Sequence, residues 1–270
     1  MLITKKFVLL NYPKTGSTFA REAIQKLYSE KYRENPVVSK ILRKLKVREP
    51  AIQELMLPNI KVKGVSRPRD QHGCYCQIPS RYKNREVVTV VRNPFTRFLS
   101  AYKYGWWKKY PPVSQLLLDK HFPHFPDLSF DEYVDLTELG VEHGRLGRPP
   151  GNLGSQTVQF IQMFFNNPES TLEKVDDKYL ENQQYLKDVP AITFLRQETL
   201  NEDLAEFLIQ KGFSADDVNF ILNMKKINTT NSEKVAGAVW TPKTLSYVKH
   251  KEKAMFDIFR EKGINYDSPL

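Results

Sequence analysis

Seven residues near the start of the chain, Tyr12, Pro13, Lys14, Thr15, Gly16, Ser17 and Thr18, bring a cation, a glycine and hydroxyls into one short stretch. Such a set can hold an anion: Lys14 supplies a mobile charge, Gly16 lets the backbone approach closely, and Ser17 and Thr18 supply hydroxyl donors. The spacing is not that of a G-x-x-x-x-G-K-[ST] phosphate loop, because Lys14 precedes Gly16 instead of following a glycine. By residue type alone the stretch reads either as a phosphate cradle or as a capped turn with a lysine at its lip. A second stretch, residues 91–102, carries Arg92, whose planar guanidinium can fork onto a phosphate, and Ser100, eight residues further on. Taken alone, an arginine at a strand end is more often structural.

The surrounding pattern says what must position these groups. Phe7, Val8, Leu9 and Leu10 form a continuous apolar run, as in a strand buried on both faces. After the loop, Ser17 and Thr18 stand where an N-cap belongs, ahead of Phe19, Ala20, Ala23, Ile24, Leu27 and Tyr28 at helical spacing. The unit is therefore strand, tight loop, helix, and free N–H groups at such a helix start favour an anion. The same grammar recurs at residues 86–93, where a β-branched run is followed by Pro94 at the first helical position and by Phe95, Phe98, Leu99 and Tyr102 along one helical face. A third unit has a strand over residues 191–195, a cap at Thr199 or Asn201, and Leu204, Phe207 and Leu208 as a buried stripe. Three strand-to-helix units predict an α/β chain in one domain spanning residues 1–270, with residues 242–259 as a closing helix. In such sheets ligands bind beyond the carboxyl ends of the strands, so Arg92 and the loop after Leu10 share a crevice if their strands are neighbours. The stretches 105–127 and 144–155 read as long loops over the sheet edge.

Together the two stretches make the sequence resemble sulfotransferases that use 3′-phosphoadenosine 5′-phosphosulfate (PAPS). The residues PKTGST resemble that family's 5′-phosphosulfate loop, and VVRNPFTRFLSAY resembles its 3′-phosphate motif, in which an arginine and the serine eight residues later hold the ribose phosphate. Their form is closer to the carbohydrate-type branch, which includes heparan 2-O-sulfotransferases, than to the cytosolic phenol and steroid branch. The run from Phe194 to Leu200 resembles a further family strand and turn, and Asn228, Thr229 and Thr230 resemble a polar loop near the cofactor. The R-K-G segment of the cytosolic branch is not found, and no role follows for Lys234 or Trp240.

The resemblance implies a P-loop-like three-layer fold, with a central parallel sheet flanked by helices. It also implies PAPS as cofactor, with Lys14, Thr15, Gly16, Ser17, Thr18, Arg92 and Ser100 around it. His72, 20 residues before Arg92, then occupies the place of the family's general base. A neutral imidazole with a reference pKa of about 6.5 accepts a proton at physiological pH. Lys14 becomes the group that stabilises the departing diphosphate, and no metal is implied.

Composition narrows the alternatives. With 41 Lys+Arg against 31 Asp+Glu the formal charge is +10, which favours an acidic partner. Apart from residues 40–48 the basic residues are scattered, where a nucleic-acid binder would gather them into a stripe with interleaved aromatics. A nucleotide-dependent kinase, the alternative enzyme class, needs an intact phosphate loop and a metal-binding carboxylate after a strand, and Arg92 stands there instead. Cys74 and Cys76, the two cysteines, read as reduced thiols pointing to opposite sides of an extended segment, and neither they nor His72 suit a zinc site. No run approaches the ~18 apolar residues of a membrane helix, so a cytoplasmic enzyme with no membrane partner is expected. Its acceptor would be a small molecule or a carbohydrate. Trp106, Trp107, Tyr104 and Tyr110 can stack on a ring, Lys103, Lys108 and Lys109 can meet an acidic one, and Asp127, Asp131 and Glu132 can select a cationic one.

Overall fold

A computed structural model describes residues 1–32, 50–58, 69–144, 149, 151–225 and 239–269. The basic stretch at residues 39–48, the polar loop Asn228, Thr229 and Thr230, and Lys234 lie outside the described residues.

Five strands form one sheet in the order β3-β1-β2-β4-β5: β1 is Leu2–Thr4, β2 Phe7–Leu10, β3 Ile52–Glu54, β4 Glu86–Val91 and β5 Ile192–Arg196. The helices are α1 (Ser17–Lys31), α2 (Pro94–Tyr104), α3 (Trp106–Lys109), α4 (Gln115–His121), α5 (Phe130–Glu142), α6 (Ser155–Phe164), α7 (Pro168–Lys174), α8 (Asp177–Glu181), α9 (Tyr185–Asp188), α10 (Leu200–Gln210), α11 (Ala215–Leu222), α12 (Pro242–Lys251) and α13 (Lys253–Glu261). None of them is long and apolar enough to cross a membrane.

The parallel core of the sheet is β2, β4 and β5, paired Leu10 with Thr89 and Val91 with Arg196. The predicted apolar runs fall here because both faces are covered. Val8, Leu10, Val87 and Val91 pack with α6 and α13, while Phe7, Leu9, Val88 and Val90 pack with α1, α10 and α11. Each fully buried side chain of this kind contributes about 1.5–3 kcal/mol, so the two covered faces hold these strands firmly within the sheet. All six α1 positions predicted to be buried are buried. A third, aromatic cluster joins α2, α5 and α12 through Phe95, Phe98, Tyr133, Trp240 and Val248.

The sheet is mixed, not wholly parallel. β1 runs antiparallel to β2 and to β3. The turn between β1 and β2 has no Gly or Asn; instead the Thr4 hydroxyl accepts from the N–H groups of Lys6 and Phe7 and donates to the Phe7 carbonyl. The closing segment also departs from a single helix. It breaks between Lys251 and Lys253, and Glu252, fully buried at the break, accepts from the Gln156 and Thr157 N–H groups and the Thr157 hydroxyl. Its carboxylate thereby caps the start of α6, and burial raises its pKa from the usual value. Residues 105–127, predicted as a loop, hold α3 and α4.

Candidate active site

Because β2, β4 and β5 are parallel and neighbours, the chain leaves them on one edge, at Asn11, Arg92 and Gln197. The loop after β2 is anchored by Tyr12, whose buried ring meets Phe164 edge-on at 5.0 Å. The Tyr12 carbonyl accepts both the Thr15 and Ser17 hydroxyls at 2.9 Å. The hydroxyl expected from Ser17 as a ligand donor is thus used inside the loop. Neither Ser17 nor Thr18 is the N-cap: Gly16 is, in the left-handed conformation (φ 87°), with no side-chain cap. A β-carbon there would be strained by the positive φ and crowded, 3.2 Å from Gln197 Cγ and from Leu200 Cδ2. Gly16→Ala is therefore expected to cost about 1–2 kcal/mol of stability, read by denaturant unfolding, and an unchanged midpoint would show that the left-handed turn does not require glycine. The first turn of α1 carries no acidic residue, so its N–H end is open to an anion without carboxylate competition.

Lys14 is also left-handed, with φ 67°, and half-buried. Burial lowers its pKa from the usual lysine range, helped by the positive charges of Arg92 and Arg97. Its Nζ lies 3.7 Å from the centroid of the Tyr104 ring, a cation–π contact.

Arg92 directly follows β4, and its Nε donates to Thr96 Oγ1 at 2.9 Å. Thr96 and Ser100 are one helical step of four residues apart on α2, so the half-buried Ser100 lies on the same helix face as the residue that holds Arg92. Asn93 caps α2 by accepting from the Phe95 N–H, and Pro94 takes the first position as predicted. Glu198, after β5, accepts from the Asn93 N–H and the Tyr266 hydroxyl. Burial pushes the Arg92 pKa down, and the Glu198 charge partly restores it.

His72 approaches from the segment before β4. Its N–H donates to Asp70 Oδ1, and its ring Nδ1 is 2.7 Å from the Asn11 carbonyl. A carbonyl only accepts, so Nδ1 carries the proton and the neutral ring has its lone pair on Nε2. The structure therefore ties His72 to the first residue of the Lys14 loop. Cys74 and Cys76 do not lie on an extended segment as expected: Tyr75–Gln77 is a 3₁₀ turn, neither cysteine forms a disulfide, and burial pushes the Cys76 thiol up. Among the described residues, no group of three or more His, Cys, Asp or Glu side chains is placed to hold a metal ion.

Arg97 has no role in the sequence reading. Only 5 % exposed, it donates from Nε to the Pro13 carbonyl at 3.0 Å and from Nη1 to Gln156 Oε1 at 2.7 Å, bonds Gln159 through Nη2, and stacks 4.1 Å from the Tyr12 ring centroid. The available signal was an arginine set among Phe95, Phe98 and Leu99, the buried stripe of α2, since such a charge needs internal partners.

The aromatic candidates separate into two groups. Trp107 belongs to the core, its indole N–H donating to the Tyr102 carbonyl. Tyr104, Trp106 and Tyr110 are 61 %, 48 % and 38 % exposed and form a row, with centroids 6.3 Å and 4.4 Å apart, that reaches the Lys14 ammonium. The acidic candidates have local partners: Asp127 pairs with Lys108, Asp131 accepts from the Thr241 hydroxyl, and Glu132 closes the capping box of α5.

Compared with known proteins, the sequence matches the Sulfotransferase family over residues 3–139, a span containing the Lys14 loop, His72, Arg92 and Ser100. No curated protein matches it. Among solved structures, mouse sulfotransferase SULT7A1 complexed with PAP aligns with 94 % of this chain and 84 % of its own, at 13 % identity and a TM-score of 0.40.

Proposed function

This chain belongs to the sulfotransferase family, and from that premise we propose that it moves the sulfuryl group of PAPS to a hydroxyl or amine of a small-molecule or carbohydrate acceptor. The observation that carries this reading is the parallel pairing of β2 with β4, which brings the Lys14 loop and Arg92 to one sheet edge.

The residues there fit a doubly phosphorylated nucleotide. Burial and the charges of Arg92 and Arg97 lower the Lys14 pKa, and burial and the Arg97 charge lower that of Arg92, an arrangement that an entering anion relieves. The α1 N-terminus has no carboxylate in its first turn, and Glu198 already accepts from Asn93 and Tyr266. PAPS supplies an activated sulfuryl group whose S–O bond breaks as an acceptor atom attacks sulfur in line.

The chain's own groups divide the remaining work. The amides of residues 15–18 and the Lys14 ammonium hold the 5′-phosphate, and Lys14 neutralises the charge that develops on its bridging oxygen. Arg92, oriented by Thr96, and Ser100 hold the 3′-phosphate. His72 takes the acceptor's proton on Nε2, its ring fixed by the Nδ1–H bond to Asn11. The acceptor enters on the side of Tyr104, Trp106 and Tyr110, the exposed row that touches Lys14.

Calorimetric titration with 3′,5′-adenosine diphosphate, beside ATP with Mg²⁺, tests the reading. The diphosphate is expected to bind and ATP to bind far more weakly; the reverse preference overturns the assignment. Arg92→Ala should weaken the diphosphate by about 1.5–3 kcal/mol, the worth of a charge-assisted contact, while an unchanged dissociation constant would take Arg92 out of the site.

A further inference from the structure

Lys14 sits in a backbone conformation that a non-glycine residue keeps only when its surroundings over-determine it (φ 67°). The constraints converge on the two residues before it. The Tyr12 carbonyl takes the Thr15 and Ser17 hydroxyls from the downstream side. From α2, the Arg97 guanidinium lies over the Tyr12 ring and donates to the Pro13 carbonyl. Proline has a fixed φ and no N–H, so its carbonyl is the polar handle by which residue 13 can be gripped.

Arg97 is itself locked. Gln156 and Gln159, one helical turn apart on α6, accept from its two terminal nitrogens. Gln156 in turn donates through Nε2 to the Pro94 carbonyl and through its backbone to buried Glu252. A planar fork with several donors fits this arrangement, and a lysine's single ammonium does not. All three of these Arg97 acceptors are neutral, so the side chain is placed by hydrogen-bond geometry and ring stacking.

We infer that Arg97 is a positioning residue for the reaction: by gripping Tyr12 and Pro13 it holds the Lys14 backbone so that the ammonium meets the departing 5′-phosphate. This rests on the proposed role of Lys14. It makes α6 part of the active-site scaffold, although α6 lies about sixty residues downstream of Arg97 and outside the matched family span.

The test is a double-mutant cycle between Arg97→Lys and Lys14→Ala, read by kcat and by KM for PAPS. Arg97→Lys keeps the charge and loses the fork. It should lower kcat about 10- to 100-fold and change KM less than about threefold, because a misplacement near 1 Å is enough for a loss of that size. In the Lys14→Ala background the same change should alter kcat less than about twofold, since a group acting through Lys14 has nothing left to position. An unchanged kcat for Arg97→Lys, or an equal loss in both backgrounds, overturns the inference. If Arg97→Lys fails to fold, Gln159→Leu removes one anchor at a partly exposed position. It should then show a several-fold loss in kcat with the same non-additivity, and full retention of kcat overturns the inference. Absence of sulfuryl transfer by the unaltered protein overturns the parent reading instead; transfer that Lys14→Ala cuts and Arg97→Lys leaves intact overturns this inference alone.

Discussion

Lys14→Ala is expected to lower kcat by about 30- to 1,000-fold, corresponding to about 2–4 kcal/mol of lost transition-state stabilisation, with the diphosphate still bound. The ammonium is the mobile cation at the loop, half-buried and flanked by Arg92 and Arg97, so water screens it less than a surface lysine. In the ground state the 5′-phosphate keeps the amides at the start of α1, which is why turnover should suffer more than affinity. The same environment gives a pH signature. Burial and the two arginines lower the Lys14 pKa, so the ammonium discharges at a lower pH than an ordinary lysine. The alkaline limb of kcat/KM should fall below the usual lysine range in the unaltered protein and vanish in Lys14→Ala. Turnover of the variant within threefold of the unaltered protein would remove Lys14 from the chemistry.

His72→Ala should be the other large loss, about 10² to 10⁴ in kcat, the span of a general base. The tautomer sets which ring nitrogen can act. The Asn11 carbonyl at 2.7 Å takes the Nδ1 proton, so Nε2 is the basic atom of the neutral ring. That bond also links the base to the strand end from which the Lys14 loop departs, so one backbone segment sets both groups. Removing the ring leaves a partly buried carbonyl without this donor and should cost about 1–3 kcal/mol of stability. His72→Gln, which retains a donor near Asn11, should recover much of that stability and none of the rate. A variant that keeps its turnover, or one whose diphosphate affinity falls as far as its kcat, would show that His72 is no base.

Much of the frame was legible in the residues. The run Phe7–Leu10, the stripe from Phe19 to Tyr28 and the β-branched run ending at Val91 are local patterns, and each appears as the element its period predicts. Burial on both faces of a parallel strand leaves no polar alternation to blur such a run. The two motifs could be placed at strand ends for the same reason; His72 lies in the irregular segment before β4, where no periodicity marks it.

Other features depend on hydrogen-bond partners that no side-chain periodicity announces. The β1–β2 turn is closed by the Thr4 hydroxyl, and β3 pairs with β1 from some fifty residues away, so no turn signal announces either. The closing helix breaks because Glu252 caps α6, about a hundred residues upstream. Gly16 displaces Ser17 as N-cap because the Tyr12 carbonyl claims the serine hydroxyl. Arg97 looks like one charge in an amphipathic helix until Gln156, Gln159 and Pro13 surround it. The sequence by itself therefore determined the strand-loop-helix units and the residue types at their ends, because side-chain periodicity is a property of neighbours along the chain. Only the tertiary structure decided which polar groups satisfy one another, because a buried donor is matched by whatever acceptor folding brings within 3 Å or so.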